Sequence, residues 1–169
     1  MITKKSKAAF FIIPFLFLVA CNDQQRTIQS MQSRIDSLQK YIDNAYKPGF
    51  GEFMSSIQVH HEKLWFAGIR ENWQLAGFEI DEIKESLEDI QSFCKDRPER
   101  NSLSMIDKPL DSLSNAIQQK DLPAFKNDFI TLTNTCNNCH RATEHGFNQI
   151  IIPTTPPFSN QEFTPTRTQ

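Results

Sequence analysis

LPAFKNDFITLTNTCNNCH, residues 122–140, is the stretch that decides the fold expected for this chain. Its apolar residues recur every three or four positions, which places their side chains along one face of an α-helix. Asp121 precedes the stretch as a candidate N-cap, and Pro123 falls in the first turn, where an amide proton is not needed. The spacing predicts a helix that starts at Leu122 and ends about five residues beyond His140. Its apolar stripe consists of Leu122, Phe125, Phe129, Leu132, Cys136 and Cys139.

Three segments upstream show the same helical spacing and are separated by short polar connections. The first is expected at residues 50–69, and the second runs from Trp73 to a break at Pro98. The third contains Pro109, so this helix either starts near Asp107 or is kinked at the proline. Together with the final helix, these segments predict an all-α fold built around an antiparallel four-helix bundle.

Further elements are expected on either side of the bundle. Before it, apolar residues at alternating three- and four-residue steps predict a stalk helix or a helix docked on the bundle, and they are compatible with a homodimer. After it, a Pro- and Thr-rich segment predicts an extended tail, partly laid across the bundle by Ile and Phe side chains and loose at its end. The expected divisions are the stalk or linker at 21–47, the bundle at 48–147 and the tail at 148–169. The stalk stripe consists of Ile28, Met31, Ile35, Leu38 and Ile42.

Within the opening stretch, Cys136, Cys139 and His140 form a C-x-x-C-H pattern, which marks covalent attachment of a c-type haem. The two thiols form thioethers with the haem vinyl groups, and the adjacent imidazole ligates the iron. One axial position is then fixed, and the sixth position decides what the haem can do. The sequence therefore predicts one covalently bound haem c with His140 as the proximal ligand.

Two other uses of the C-x-x-C spacing remain open. A structural zinc site needs four ligands, although the chain has no second C-x-x-C. A thioredoxin-like dithiol is expected after a β-strand, whereas the residues before Cys136 have helical spacing. Cys94 is expected to be a buried apolar residue on a helix. The side chains that could complete a zinc site are His60, Cys94, His140 and His145.

The N-terminus carries a pattern typical of export. Three lysines within the first seven residues precede an apolar run at residues 8–20, which is too short for a comfortable membrane-spanning helix. The run ends in LVAC, residues 18–21, which resembles a bacterial lipobox. The resemblance implies that residues 1–20 are a signal peptide and that lipidated Cys21 anchors the protein on the periplasmic side of a bacterial membrane. An ordinary signal peptide and an uncleaved anchor are the alternatives.

A C-x-x-C-H near the end of the last helix of such a bundle resembles the cytochrome c-prime family and its low-spin relatives. Ordinary small cytochromes c carry the motif near the N-terminus instead. The resemblance covers roughly residues 48–147 and rests on the motif, its place in the last helix and the number of helices. It implies that Cys136 and Cys139 attach the haem and that His140 is the proximal ligand. The stalk and the Pro-rich tail depart from the compact family pattern.

The sixth iron ligand is expected from the first helix of the bundle. In an antiparallel arrangement, the end of the last helix lies beside the start of the first, which brings Met54 to the level of His140. A thioether opposite an imidazole is a common low-spin pair and raises the reduction potential. His61 and His60 are the competing ligands, an open site is a further alternative, and Met54 could simply fill the core. Phe53, Trp65 and Phe66 are expected either to form walls of the haem pocket or to belong to a plain aromatic core.

The expected function is one-electron transfer by a membrane-anchored monohaem cytochrome that meets a redox protein partner transiently. No constellation of acid, base and nucleophile indicates an enzyme. A net charge of −2 provides no basic field for nucleic acid. Haem-based binding of NO or CO and a structural lipoprotein are the alternative functions. An acidic face on the second bundle helix would dock a basic partner or simply be solvated. It consists of Glu79, Asp81, Glu82, Glu85, Glu88 and Asp89.

Overall fold

The computed structural model describes residues 12–45 and 48–166, with side chains described from residue 24 onwards. Within these ranges all regular secondary structure is helical and no strand is present, so the all-α expectation is confirmed. A 3₁₀ segment stands between the third and fourth α-helices. The elements are α1 (Ile12–Asn44), α2 (Phe50–Ile69), α3 (Trp73–Phe93), the 3₁₀ segment (Pro98–Ile106), α4 (Asp107–Gln119) and α5 (Leu122–Ala142).

The chain divides into two compact units, of which the first contains α1 and the second contains α2 to α5. In α1, Gln32 and Gln39 each donate a hydrogen bond to the aspartate four residues on, at 2.9 and 2.8 Å, which supports an exposed helix. The stripe from Ile28 to Ile42 is exposed. Among the described residues, no helix has the length and apolar character needed to cross a membrane. The N-terminal lysines and the side chain of Cys21 lie outside the described part.

Side-chain caps begin two helices of the second unit. Asp121 Oδ1 accepts a hydrogen bond from the Ala124 amide at 3.0 Å, which confirms its expected role at the start of α5. Asn72 Oδ1 accepts one from the Leu75 amide at 3.2 Å at the start of α3. Lys120 follows α4 with a left-handed φ of 56°, which lets the chain turn at once into α5.

The connection between α3 and α4 differs from the expected one. α3 ends at Phe93, before the expected break at Pro98, and Cys94 is buried as expected but lies just beyond the helix. Pro98 instead opens the 3₁₀ segment, because proline disfavours helical geometry in the residue before it but suits the first position of a helix. That segment leads into α4 at Asp107, one of the two expected alternatives, with Pro109 in the first turn.

Helices α2 and α5 are antiparallel and meet in the core. The fully buried ring of Phe125 covers Gly68 so closely that a Cβ on the glycine would lie 2.0 Å from the Phe125 Cζ. Farther along, the His61 imidazole bonds to the Thr133 hydroxyl at 2.8 Å. Thr133, later in α5 than Phe125, thus contacts His61, earlier in α2 than Gly68. The two helices therefore run in opposite directions. Around the same core, α3 packs against α2 and α4, and α4 packs against α5.

Replacing Gly68 by alanine should destabilise the second unit. The new methyl group would overlap the Phe125 ring, which is enclosed on all sides, so we expect the free energy of unfolding to fall by about 1–3 kcal/mol. The matched control is Gly77→Ala in α3, where a Cβ meets nothing within 4 Å. That control should raise the stability by about 0.5–1 kcal/mol. Urea denaturation measures both, and equal effects of the two substitutions would contradict the packing described.

Candidate functional site

A cavity of about 340 Å³ lies where the start of α2, the end of α5 and the 3₁₀ segment come together. Its size lies within the range of small-molecule and cofactor sites. Six of the candidate ligands singled out from the sequence line this one cavity: Met54, His61, Cys136, Cys139, His140 and His145. Three of them come from α5, two from α2 and one from the chain just after α5, so residues distant in the chain share one site.

The two cysteines of α5 present neutral thiols to the cavity. Both are free, and they lie three residues apart on one side of the helix. Burial raises the pKa of the Cys136 thiol to about 12, with a smaller contribution from neighbouring Cys139, and burial also raises the pKa of Cys139. A redox-active dithiol needs a lowered thiol pKa and usually follows a strand, whereas this pair lies within a helix. The structure therefore gives the dithiol interpretation no support.

His140 is held by the chain that follows α5. The helix ends at Ala142, sooner than expected, and Glu144 adopts a left-handed φ of 64° as the chain turns back. The Nδ1 atom of His140 then lies 2.6 Å from the main-chain carbonyl oxygen of Asn148. A carbonyl can only accept, so Nδ1 carries the proton and the lone pair of the neutral ring is on Nε2. Nothing in the spacing of the sequence indicates this partner.

His61 lines the cavity and has one buried ring nitrogen without a hydrogen-bond partner among the described residues. The Thr133 hydroxyl donates to the Phe129 carbonyl at 2.9 Å, so it accepts its other hydrogen bond from His61 Nε2. Nδ1 is therefore an acceptor, and it has no hydrogen-bond partner among the described residues. Burial lowers the pKa of His61 to about 4, which keeps the ring neutral. A buried acceptor left without a partner in a cavity fits a site that receives a further group.

His60, the other competing ligand, has a different environment and is not among the residues that line the cavity. Its Nδ1 lies 2.6 Å from Glu79 Oε2, and Lys63 Nζ lies 3.4 Å from the other oxygen of the same carboxylate. Glu79 is completely buried, so its expected place on the exposed acidic face of α3 is wrong. Burial of a carboxylate is tolerated here because two cationic or hydrogen-bonding partners reach it. The cluster joins α2 to α3.

Of the two expectations for the aromatic residues of α2, the structure supports the apolar core. Phe53, Trp65 and Phe66 are absent from the lining of the cavity and belong to the apolar core, where Trp65 lies 4.9 Å from Phe129 between ring centroids. Helical spacing alone could not decide between these two places, because it does not give the rotation of α2 about its axis. The aromatic residue that does line the cavity from this helix is Phe50.

Arg97 and Glu99 line the cavity and were missed by the sequence analysis. The Arg97 guanidinium binds Glu99 through two hydrogen bonds of 2.6 and 3.1 Å and lies 5.2 Å from the centroid of the Phe50 ring. This contact lowers the pKa of Glu99 to about 2, so both partners are charged at neutral pH. In the sequence Arg97 only marked a helix end, and no periodicity connects the 3₁₀ segment with α5.

Metal binding by protein side chains alone has no support in the described part of the chain. Across residues 12–45 and 48–166, no group of three or more His, Cys, Asp or Glu side chains is placed to hold a metal ion. A structural zinc site needs four such ligands. The cavity instead offers two thiols and isolated imidazole nitrogens, a donor set that suits attachment of a prosthetic group that brings its own metal.

Comparison with known proteins adds no identification. A scan of family models, a search of curated proteins and a search of solved structures each found no match to this chain.

The buried neutral state of His61 should make the haem-free chain acid-sensitive. Its folded pKa of about 4 lies below the unfolded value of 6.5, so the stability present above pH 6.5 is lost as the pH falls through 4. The free energy of unfolding should fall by up to about 3 kcal/mol over this window. His61→Phe, measured by urea denaturation at several pH values, should flatten the dependence. The control Met105→Ala changes an exposed side chain that does not titrate, leaves His61 in place and should keep the pH dependence. An unchanged slope in His61→Phe would assign the acid sensitivity elsewhere.

Proposed function

We propose that the chain is a c-type monohaem cytochrome that transfers single electrons. In this proposal Cys136 and Cys139 hold one haem c covalently, and His140 is the proximal ligand through Nε2. The observation that carries the proposal is that both thiols and this imidazole line the same cavity as His61, whose buried Nδ1 has no partner among the described residues. The haem supplies the one-electron couple of its iron, and the protein supplies ligands, burial and a docking face.

The fold proposed for the second unit is an antiparallel four-helix bundle that resembles the cytochrome c-prime family. Each of α2 to α4 packs against the next helix, and α5 closes the set by packing against α2. The C-x-x-C-H lies near the end of the fourth of these helices, as in that family. In the same proposal, residues 21–47 form a stalk and residues 148–169 an added tail.

Met54 is proposed as the sixth ligand, and the register of α2 against α5 supports it. Gly68 contacts Phe125, and His61 contacts Thr133. A step toward the start of α2 is therefore matched by a step of about the same number of residues toward the end of α5. The same step continued from His61 brings Met54 to the level of His140. Met54 is half-buried and lines the cavity, so its thioether is available on that side. Apolar side chains in the lining, which limit access of water, include Ile57, Ile83, Leu103, Ile106 and Leu132.

A membrane location is proposed with this function. Cys21 would carry the lipid that anchors the protein on the periplasmic side of a bacterial membrane, with the stalk between anchor and bundle. Electrons would pass to and from a redox protein that docks transiently. The exposed carboxylates of α3, without the buried Glu79, remain the candidate docking face for a basic partner. Gas binding and a purely structural lipoprotein remain the competing functions, and the two experiments below distinguish them.

Haem should be attached covalently when the chain is produced with a c-type maturation system. A denaturing gel stained for haem peroxidase activity should show the band, and replacing both Cys136 and Cys139 by alanine should abolish it because no thioether can form. The matched control is Cys94→Ala, a buried cysteine outside the cavity lining, which should keep the band. Lack of a haem band in the wild type would favour the structural lipoprotein.

Met54→Ala should convert the reduced protein from a six-coordinate low-spin spectrum to a high-spin one that binds CO readily, because the thioether ligand is lost. Met105→Ala, a change of the same type on the exposed part of the 3₁₀ segment, should leave the spectrum unchanged. Loss of the low-spin spectrum in His61→Ala but not in Met54→Ala would transfer the ligand to His61. A wild-type protein that is already high-spin would favour gas binding.

A further inference from the structure

We propose that Asn137 is a positioning residue that fixes the tautomer of His140 through the C-terminal tail. It does so without touching the imidazole. Its side chain holds the main chain of Ile150, and the Asn148 carbonyl is thereby kept where it accepts the proton of His140 Nδ1. The lone pair is then directed to Nε2. The C-x-x-C-H pattern does not specify the two residues between its cysteines. The role of Asn137 therefore follows from the structure of this chain and not from the pattern.

The contact between Asn137 and the tail uses both ends of the amide. Asn137 Nδ2 donates to the Ile150 carbonyl at 2.8 Å, and Asn137 Oδ1 accepts from the Ile150 amide at 2.8 Å. The Asn137 side chain is buried, so an amide that lost these partners would leave polar atoms without hydrogen bonds. Two bonds to one residue fix both the position and the direction of the backbone at Ile150. This pairing therefore acts as a clamp.

The clamp and the histidine are linked by geometry. The tail runs back along the last turns of α5, so Ile150 lies at the level of Asn137 and Asn148 lies at the level of His140. Only Gln149 lies between the clamped Ile150 and Asn148, whose carbonyl accepts the His140 proton. The other end of this short segment is held by the turn, where the His145 amide donates to the His140 carbonyl at 2.7 Å and the Asn148 amide donates to the His145 carbonyl at 2.9 Å.

The tail beyond the clamp is also attached to the second unit. Ile152 packs against the core, and the buried Phe163 lies 5.8 Å from Phe66 between ring centroids. The segment at residues 148–150 is therefore restrained at both of its ends and cannot move freely in solvent. Restraint of this kind is what a hydrogen-bond partner of a metal ligand requires, since a mobile carbonyl would not select one tautomer.

The consequence for iron rests on the proposed function, whereas the tautomer itself does not. A proton shared with a carbonyl increases the electron density of the imidazole, which favours the ferric state and lowers the reduction potential. It also presents Nε2 as the unprotonated nitrogen before any haem is attached. Asn137 would thus pre-organise the proximal ligand.

The direct test is the tautomer of His140 in the haem-free full chain, read from ¹⁵N chemical shifts followed to a pH at which they no longer change. In the wild type, the shifts should report a proton on Nδ1. In Asn137→Ala, the ring should move toward the Nε2–H tautomer that free imidazole prefers, with the tautomer ratio changing by about tenfold, the effect of one lost hydrogen bond. Unchanged shifts in Asn137→Ala would overturn the proposal.

The matched control is Asn138→Ala, the other residue between the two cysteines. Asn138 is exposed and its amide oxygen accepts from Arg141 rather than from the tail. Its replacement should leave the His140 tautomer as in the wild type, and a shift equal to that of Asn137→Ala would also overturn the proposal. If Asn137→Ala does not fold, Asn137→Asp keeps the acceptor for the Ile150 amide and lacks the donor for its carbonyl. The carboxylate oxygen that replaces the donor repels the Ile150 carbonyl, so the tautomer ratio should change in the same direction as in Asn137→Ala.

In the haem-loaded protein, Asn137→Ala should raise the midpoint potential relative to Asn138→Ala at equal haem content. A general loss of stability would not by itself move the potential in this direction. If the wild type carries no covalent haem, the proposed function fails, and the tautomer measurement still decides whether Asn137 positions His140. If haem is present and neither the potential nor the tautomer responds, the function stands and the positioning role is rejected.

Discussion

The contact of Phe125 with Gly68 sets the register on which the rest of the second unit depends. Because the glycine has no side chain, the ring lies directly on the backbone of α2 near its end, while Phe125 itself is near the start of α5. Because the two helices are antiparallel and touch at this point, the start of α2 must lie beside the end of α5. The cavity lies at that other end, and the His61–Thr133 hydrogen bond marks the halfway level. A packing constraint at one end of the pair thus determines which residues meet at the other.

Burial determines the charge state of two groups that line the cavity, Cys136 and His61. The same loss of hydration raises the pKa of the Cys136 thiol and lowers that of His61, because in both cases the charged form is the one that burial penalises. The result is a neutral thiol at Cys136 and a neutral imidazole at His61. The buried carboxyl group of Glu79 lies elsewhere, in the cluster with His60 and Lys63 between α2 and α3. The lining of the cavity therefore combines these neutral groups with the ion pair of Arg97 and Glu99.

The tail contributes to the site through main-chain atoms. Asn148 and Ile150 reach α5 through a carbonyl oxygen and an amide, and their side chains take no part in these hydrogen bonds. Such contacts leave no trace in residue type or periodicity. The spacing of the tail accordingly predicted only an extended segment with apolar contacts. The C-x-x-C-H pattern predicted His140 as a ligand but could not indicate the hydrogen bond that orients its ring.

The sequence by itself determined what depends on neighbours along the chain. Helical spacing gave α2 and the start of α5, the carboxylate of Asp121 gave its cap, and the C-x-x-C-H spacing placed three chemically distinctive groups on one helix end. Tertiary structure decided that His61 lines the cavity while the adjacent His60 bonds to Glu79. This depends on how α2 is rotated between its two neighbours, α3 and α5. Tertiary structure also decided that Glu79 is buried and that Arg97 lines the cavity, since periodicity records one face of a helix but not what is packed against it.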